Sequence, residues 1–235
     1  MSLSLLRRRL RCRANPVKAK LLQGFFKTGK GQYGHGDRFI GVTVPEIRTI
    51  ARDFIAFPDS DIAKLLHSPI HEERLLGLVI WTYQMEEASA ARQKAIAQLF
   101  IKHRAGVNNW DLVDLSCYKI LGPAHGYKIL PLLTKWACRG ALWEKRIAMV
   151  TTAHFIRLRD PQPTLAIAKI LLKDEHDLLQ KASGWMLREV GKQCGQRVLE
   201  KFLKANYKRM GRTALRYAIE RLPEKRRQEY LQGKI

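Results

Sequence analysis

Trp110 and Asp114 stand four residues apart in the segment NNWDLVD, so on a helix they share one face about a turn from each other. Asp111 points elsewhere, nearer the flank of Asp114 than that of Trp110. Further along, LWEKR sets Trp143 and Arg146 three apart on one face, and QKASGWMLRE sets Lys181, Trp185 and Arg188 on successive turns of another. Any one of these tryptophans alone reads as helical core. Asp114 alone reads as readily as a structural residue, a helix cap or an ion-pair partner of Arg146, as it does as a catalytic acid. Taken together, the acid, the indoles and the cations make a site. Its carboxylate can stabilise a developing positive charge and orient a water, while indole faces add cation–π attraction. A carboxylate about 4 Å from a cation, at an effective dielectric near 20, offers roughly 4 kcal/mol, on the order of a thousandfold in rate if it acts mainly in the transition state.

Other chemical constellations are absent. The sequence has no GxGxxG, Walker A, HExxH or GxSxG motif. Its four cysteines are widely spaced without a CxxC pair, which indicates neither a disulfide framework nor a zinc site. Of the dispersed histidines, only His35 has an obviously accessible setting; it reads as a solvated loop residue, with phosphate contact as the second reading. No metal and no cofactor is expected.

The elements that must position these residues are helical. The hydrophobic period is that of a helix almost throughout, and no convincing period-2 strand occurs. Asn15-Pro16 and Val44-Pro45-Glu46 read as helix starts, Gly122-Pro123 and Asp160-Pro161 as helix ends. The run PTLAIAKILL, residues 163–172, reads as a helix buried in a stack. TGKGQYGHGD, residues 28–37, reads as a loop that must be mobile or held by a ligand. Five segments align as a weak repeat: ERLLGLVIW, WDLVDLSCY, KRIAMVTTA, QKASGWMLR and GRTALRYAI, with starts spaced by 37, 35, 35 and 31 residues. Each follows a shorter amphipathic helix, the pattern of stacked helix pairs. The expected architecture is an all-α solenoid with a concave basic groove. Residues 1–235 form a single domain in this reading, with 1–14 a loosely attached basic N-terminal helix. An organellar presequence is the alternative for that Arg-rich start.

Charge sets the partner. The chain carries 43 Lys and Arg against 21 Asp and Glu, a formal net charge of +22, on a composition 46% hydrophobic. That is a folded object rather than a disordered polycation, and no apolar run reaches the ~20 residues a bilayer-spanning helix needs. A polyanionic partner is implied, nucleic acid before an anionic membrane surface. The excess is organised: residues 1–36 hold nine cations and no acid, residues 181–235 hold fifteen against five, and the intervening stretch is nearly balanced. The reducing cytoplasm, close to nucleic acid, is the expected location.

FIGVTVPEIRTIARD (39–53), WDLVD, LWEKRIAMV and QKASGWMLREVGK together resemble the AlkD family of bacterial DNA glycosylases, built of HEAT-like helical repeats, from about Pro16 to Leu222. The resemblance implies release of positively charged N3- and N7-alkylated purines, 3-methyladenine and 7-methylguanine, from duplex DNA at the start of base excision repair, without base flipping. It implies Asp114 as the catalytic carboxylate, Trp110 and Trp185 flanking the lesion nucleotide, and Arg146 as a cation near the backbone. Trp143, Lys145, Lys181, Arg188, Arg212 and Arg216 would contact DNA, and the protein would act as a monomer without metal or membrane. The alternatives are a noncatalytic DNA-binding HEAT-repeat protein and a helical-repeat scaffold for RNA or an acidic protein.

Overall fold

A computed structural model describes residues 2–235. Among them there is no strand, and extended backbone pairs in one isolated parallel bridge between Arg38 and Ile70. The residues divide into two compact units, Met1–Ile120 and Leu121–Ile235, the division falling inside helix Trp110–His125.

The first unit is organised by helix His71–Glu87, buried on every side from His71 to Thr82. Helices Val44–Asp53 and Asp59–Leu66 pack against it. The expected starts hold for local reasons. Asn15 accepts from the Lys18 N–H at 3.0 Å with Pro16 in the first turn of helix Pro16–Phe25. Glu46 reaches back to accept from the Thr43 N–H at 2.9 Å. Helix Leu3–Arg11 is docked rather than loosely attached: Leu6 and Leu10 are fully buried, and Arg7 Nε donates to buried Glu73 at 2.9 Å. Each buried leucine contributes about 1.5–3 kcal/mol of transfer free energy.

The glycine-rich loop is held by the chain itself, which corrects the expectation of a mobile or ligand-held segment. The Thr28 hydroxyl donates to Gln23 O at 3.1 Å, Gly34 N–H to Lys27 O at 3.1 Å and Asp37 N–H to Gly34 O at 3.0 Å. Gly34 is required there, since a Cβ would lie 2.4 Å from Phe26 O.

In the second unit, helices Leu130–Arg139 and Leu142–Thr151 pair at equal length, ten residues each, so the expected shorter first helix is found only in the next pair, Gln162–Leu171 with Asp177–Gln193. Helix Asp177–Gln193 also packs on Leu142–Thr151, Gln196–Asn206 and Arg212–Ala218. Two expectations need correction. The run 163–172 is not buried all round: Pro163, Thr164, Ile167, Ala168 and Leu171 form its buried face, while Ala166, Lys169 and Ile170 are exposed. Gly122-Pro123 lies inside helix Trp110–His125 instead of ending it. Pro123 supplies no N–H to the Lys119 carbonyl, and the helix stops two residues later; Gly122 serves packing, because a Cβ there would lie 2.4 Å from His154 Cβ. Asp160-Pro161 does stand at a boundary: Arg159, at φ 64°, follows helix Ala153–Arg157, and Asp160 accepts from the Gln162 N–H at 2.9 Å.

Candidate functional site

Helix Trp110–His125 begins at Asn109, which is fully buried and locks the start twice over. Its carbonyl accepts from Val113 N–H at 3.2 Å and its Oδ1 from Trp110 N–H at 2.9 Å. Trp110 and Asp114 follow on the first turns, one turn apart and both half-buried. Asp114 is thus in the helix body and not its cap. The Trp110 ring stacks on Phe26, with centroids 5.1 Å apart and planes 10° from parallel, and meets the exposed Phe25 edge-on at 5.9 Å. The stack continues from Phe26 to Phe39 at 4.8 Å and from Phe39 to His71 at 4.4 Å.

Beneath this stack lies a buried charge network. Asp37 accepts from Arg74 Nη2 at 2.6 Å and from Asn109 Nδ2 at 3.0 Å, and its Oδ2 lies 3.1 Å from His71 Nδ1. His71 Nε2 lies 2.7 Å from Asp111 Oδ2. Burial opposes charge on Asp37, but the His71 hydrogen bond, the Arg74 charge and the Asn109 bond outweigh it and hold the carboxyl below its ordinary range. Burial likewise opposes charge on His71. The Asp111 charge and the hydrogen bonds to Asp111 and Asp37 prevail and hold the imidazole above its ordinary value.

In the second unit, Trp143, Lys145 and Arg146 lie on helix Leu142–Thr151 and Lys181, Trp185 and Arg188 on helix Asp177–Gln193, and the two helices pack together. Arg146 is buried and Nη1 donates to Leu178 O, tying one helix to the other. Trp143 and Trp185 are half-buried. Lys145 pairs with Asp174 at 2.8 Å, Lys181 with Asp177 at 2.6 Å, and Arg188 with Glu220. Arg212 and Arg216 are exposed on helix Arg212–Ala218, Arg212 donating to Leu231 O at 3.0 Å. His35 is exposed.

Sequence reasoning missed the Asp37, His71, Arg74 and Asp111 network and the aromatic floor of Phe26 and Phe39. The one available signal was the run His71-Glu72-Glu73-Arg74, four ionisable residues opening an otherwise apolar helix. Among the described residues no group of three or more His, Cys, Asp or Glu side chains could hold a metal ion, and no helix is long and apolar enough to cross a membrane.

A family model described as DNA alkylation repair enzyme matches residues 6–222. The fold is similar to a solved structure described as a predicted DNA alkylation repair enzyme from Enterococcus faecalis, with a TM-score of 0.69, 17% identity, and coverage of 90% of this chain and 98% of that one. No curated protein matches the chain.

Proposed function

The chain belongs to the family of DNA alkylation repair enzymes, acting in alkylation repair with DNA as substrate, and from that premise we propose that it is a DNA glycosylase for positively charged N3- and N7-alkylated purines in duplex DNA. The observation that carries this reading is the Trp110–Asp114 pair, half-buried and one turn apart on a helix whose first turn is locked by Asn109. Alkylation at N3 of adenine or N7 of guanine makes the base a cationic leaving group, and the glycosidic bond breaks toward an oxocarbenium-like sugar. The protein's task is then to stabilise a cation and deliver a water. Asp114 does both in this reading, as electrostatic partner of the sugar cation and as the acceptor that orients the water.

Trp110 and Trp185 contact the lesion nucleotide through their indole faces. Arg146 serves the phosphate backbone rather than the sugar, because like charge near the sugar cation would slow the reaction. Trp143, Lys145, Lys181, Arg188, Arg212 and Arg216 hold DNA. The helix pairs act as HEAT-like repeats of a solenoid with a concave basic face, and the protein works as a monomer in the cytoplasm, at the nucleoid, starting base excision repair.

The test is mass spectrometry of free bases from methylated duplex DNA. Wild type releases 7-methylguanine; Asp114→Asn binds the same duplex with release slowed on the order of a thousandfold, the value of a carboxylate–cation contact about 4 Å long. Release at the wild-type rate by Asp114→Asn removes the assigned role. A noncatalytic DNA-binding protein gives no free base with wild type either.

A further inference from the structure

Three elements distant in sequence meet at one imidazole: the glycine-rich loop through Asp37, helix His71–Glu87, and the first turn of helix Trp110–His125 through Asp111. His71 is 1% exposed. Each ring nitrogen faces a carboxylate oxygen, Nδ1 that of Asp37 at 3.1 Å and Nε2 that of Asp111 at 2.7 Å. Ionised carboxylates only accept, whereas a neutral imidazole has one N–H, so the neutral ring would leave two acceptors facing each other in a buried site. The arrangement therefore calls for the imidazolium. Of the other groups facing it, Arg74 on its own helix brings Nη2 to 3.5 Å of Nδ1 and is itself bound to Asp37. Two carboxylates thus balance two cations. Asn109 binds the same Asp37 carboxylate.

A second route leads to the same turn. The His71 ring stacks on Phe39, Phe39 on Phe26 and Phe26 on Trp110. The turn is consequently held at three successive residues: Asn109 through Asp37, Trp110 through the ring stack, and Asp111 through Nε2.

We propose that His71 is a positioning residue, bridging Asp37 and Asp111 as a buried cation and so fixing the first turn of helix Trp110–His125 and the directions in which Trp110 and Asp114 project. The effect on base release rests on the glycosylase reading; the coupling of His71 to Trp110 does not. The raised proton affinity of the ring agrees with the geometry.

The test uses the full chain. Nitrogen NMR of the His71 ring should show both nitrogens protonated at pH 7, with a midpoint above the ordinary value of about 6.5. The indole N–H resonance of Trp110, assigned by its loss in Trp110→Phe, should move with the same midpoint. In a base-release assay, folded His71→Gln should lose roughly tenfold to a hundredfold in kcat, with KM and duplex affinity changed by less than about twofold. Adding Asp111→Asn should recover much of that loss, because the amide introduced at 71 can donate to Asp37 while accepting from the one introduced at 111. A neutral ring at pH 7, a Trp110 resonance indifferent to the His71 titration, or an unchanged kcat in folded His71→Gln each overturns the proposal. Should His71→Gln not fold, the wild-type titration decides alone. Should wild type release no base, the glycosylase reading falls and the Trp110 resonance still decides the coupling.

Discussion

Replacing Asp37 by alanine removes the carboxylate that two buried cations and one buried amide share. The bond to Arg74 is 2.6 Å, that to Asn109 3.0 Å and that to His71 3.1 Å, and Asp37 itself is 6% exposed. Bonds to charged partners contribute about 1.5–3 kcal/mol each and a neutral one about 0.5–1.5 kcal/mol. The sum is an upper figure, because Arg74 keeps Ser68 O at 2.8 Å and His71 keeps Asp111 at 2.7 Å. Removing one partner of a buried ion pair typically costs about 3–5 kcal/mol, since a desolvated charge is left behind. The expected loss for Asp37→Ala is therefore about 4 kcal/mol, or a fall in Tm of about 8–16 °C for a chain of this size. Asp53→Ala is the control. It breaks the Arg9–Asp53 pair, 2.6 Å long but with both side chains about half exposed, and should cost less than about 1 kcal/mol. Urea unfolding of the two variants beside wild type supplies the comparison. An Asp37→Ala loss no larger than that of Asp53→Ala would mean that the glycine-rich loop is not held through this network, and the account of the locked helix start would go with it.

Stability should also depend on pH through the same groups. His71 is raised in the folded state, so its contribution is complete below about pH 6.5 and fades as pH rises through its folded value; Asp37 is lowered, so its contribution is complete above about pH 4 and fades as pH falls through its folded value. Melting curves from pH 3 to 10 should show both declines, and His71→Gln should lack the alkaline one; parallel curves for the two proteins would contradict this. Duplex binding should weaken steeply with salt, with a slope of log K near −5 against log salt if about six phosphates are neutralised. Arg216→Ala should lower that slope by about one, and Arg188→Ala by less, as read by fluorescence anisotropy at several salt concentrations. Gly122→Ala should cost about 2 kcal/mol by forcing its Cβ against His154, whereas Gly24→Ala, with nothing within 4 Å, should stabilise helix Pro16–Phe25 by about 0.5–1 kcal/mol; equal melting temperatures for the two would refute the packing argument.

What could be read from the sequence follows from how local its cause is. Asn15 and Pro16 announce a helix because the cap lies three residues from the N–H it satisfies, and Trp110 and Asp114 share a face because helical geometry alone puts them there. Gly122 was misread because its reason lies in His154, thirty-two residues away. Helix His71–Glu87 opens on four ionisable residues that resemble a solvated first turn, yet all four are buried. Their partners are remote: Glu72 accepts from the N–H groups of Ile40, Gly41 and Val42, Glu73 binds Arg7, and His71 and Arg74 meet Asp37. No pattern along the chain marks such pairs, because a charge is buried only where tertiary structure brings its counterpart.

The same distinction changes the meaning of the net charge. Counted along the chain, the two ends look alike, each with a large excess of cations. In space they differ, because all five carboxylates of residues 181–235 are in ion pairs with cations of that same stretch: Glu220 with Arg188, Glu189 with Arg188 and Lys192, Glu200 and Glu229 with Arg226, and Glu224 with Arg227. The Glu200–Arg226 pair joins helix Gln196–Asn206 to helix Glu224–Leu231, so those charges hold the fold. Residues 1–36 have no acid of their own, and the ion pairs of Arg7 and Arg11 with Glu73 and of Arg9 with Asp53 reach outside the stretch. A phosphate must displace Glu220 to reach Arg188, whereas exposed Arg216 carries no such competitor among these pairs. Counterion release scales with the phosphates newly neutralised. The cations that would grip a duplex are thus set by which carboxylates reach them first, a property that the total of +22 does not contain.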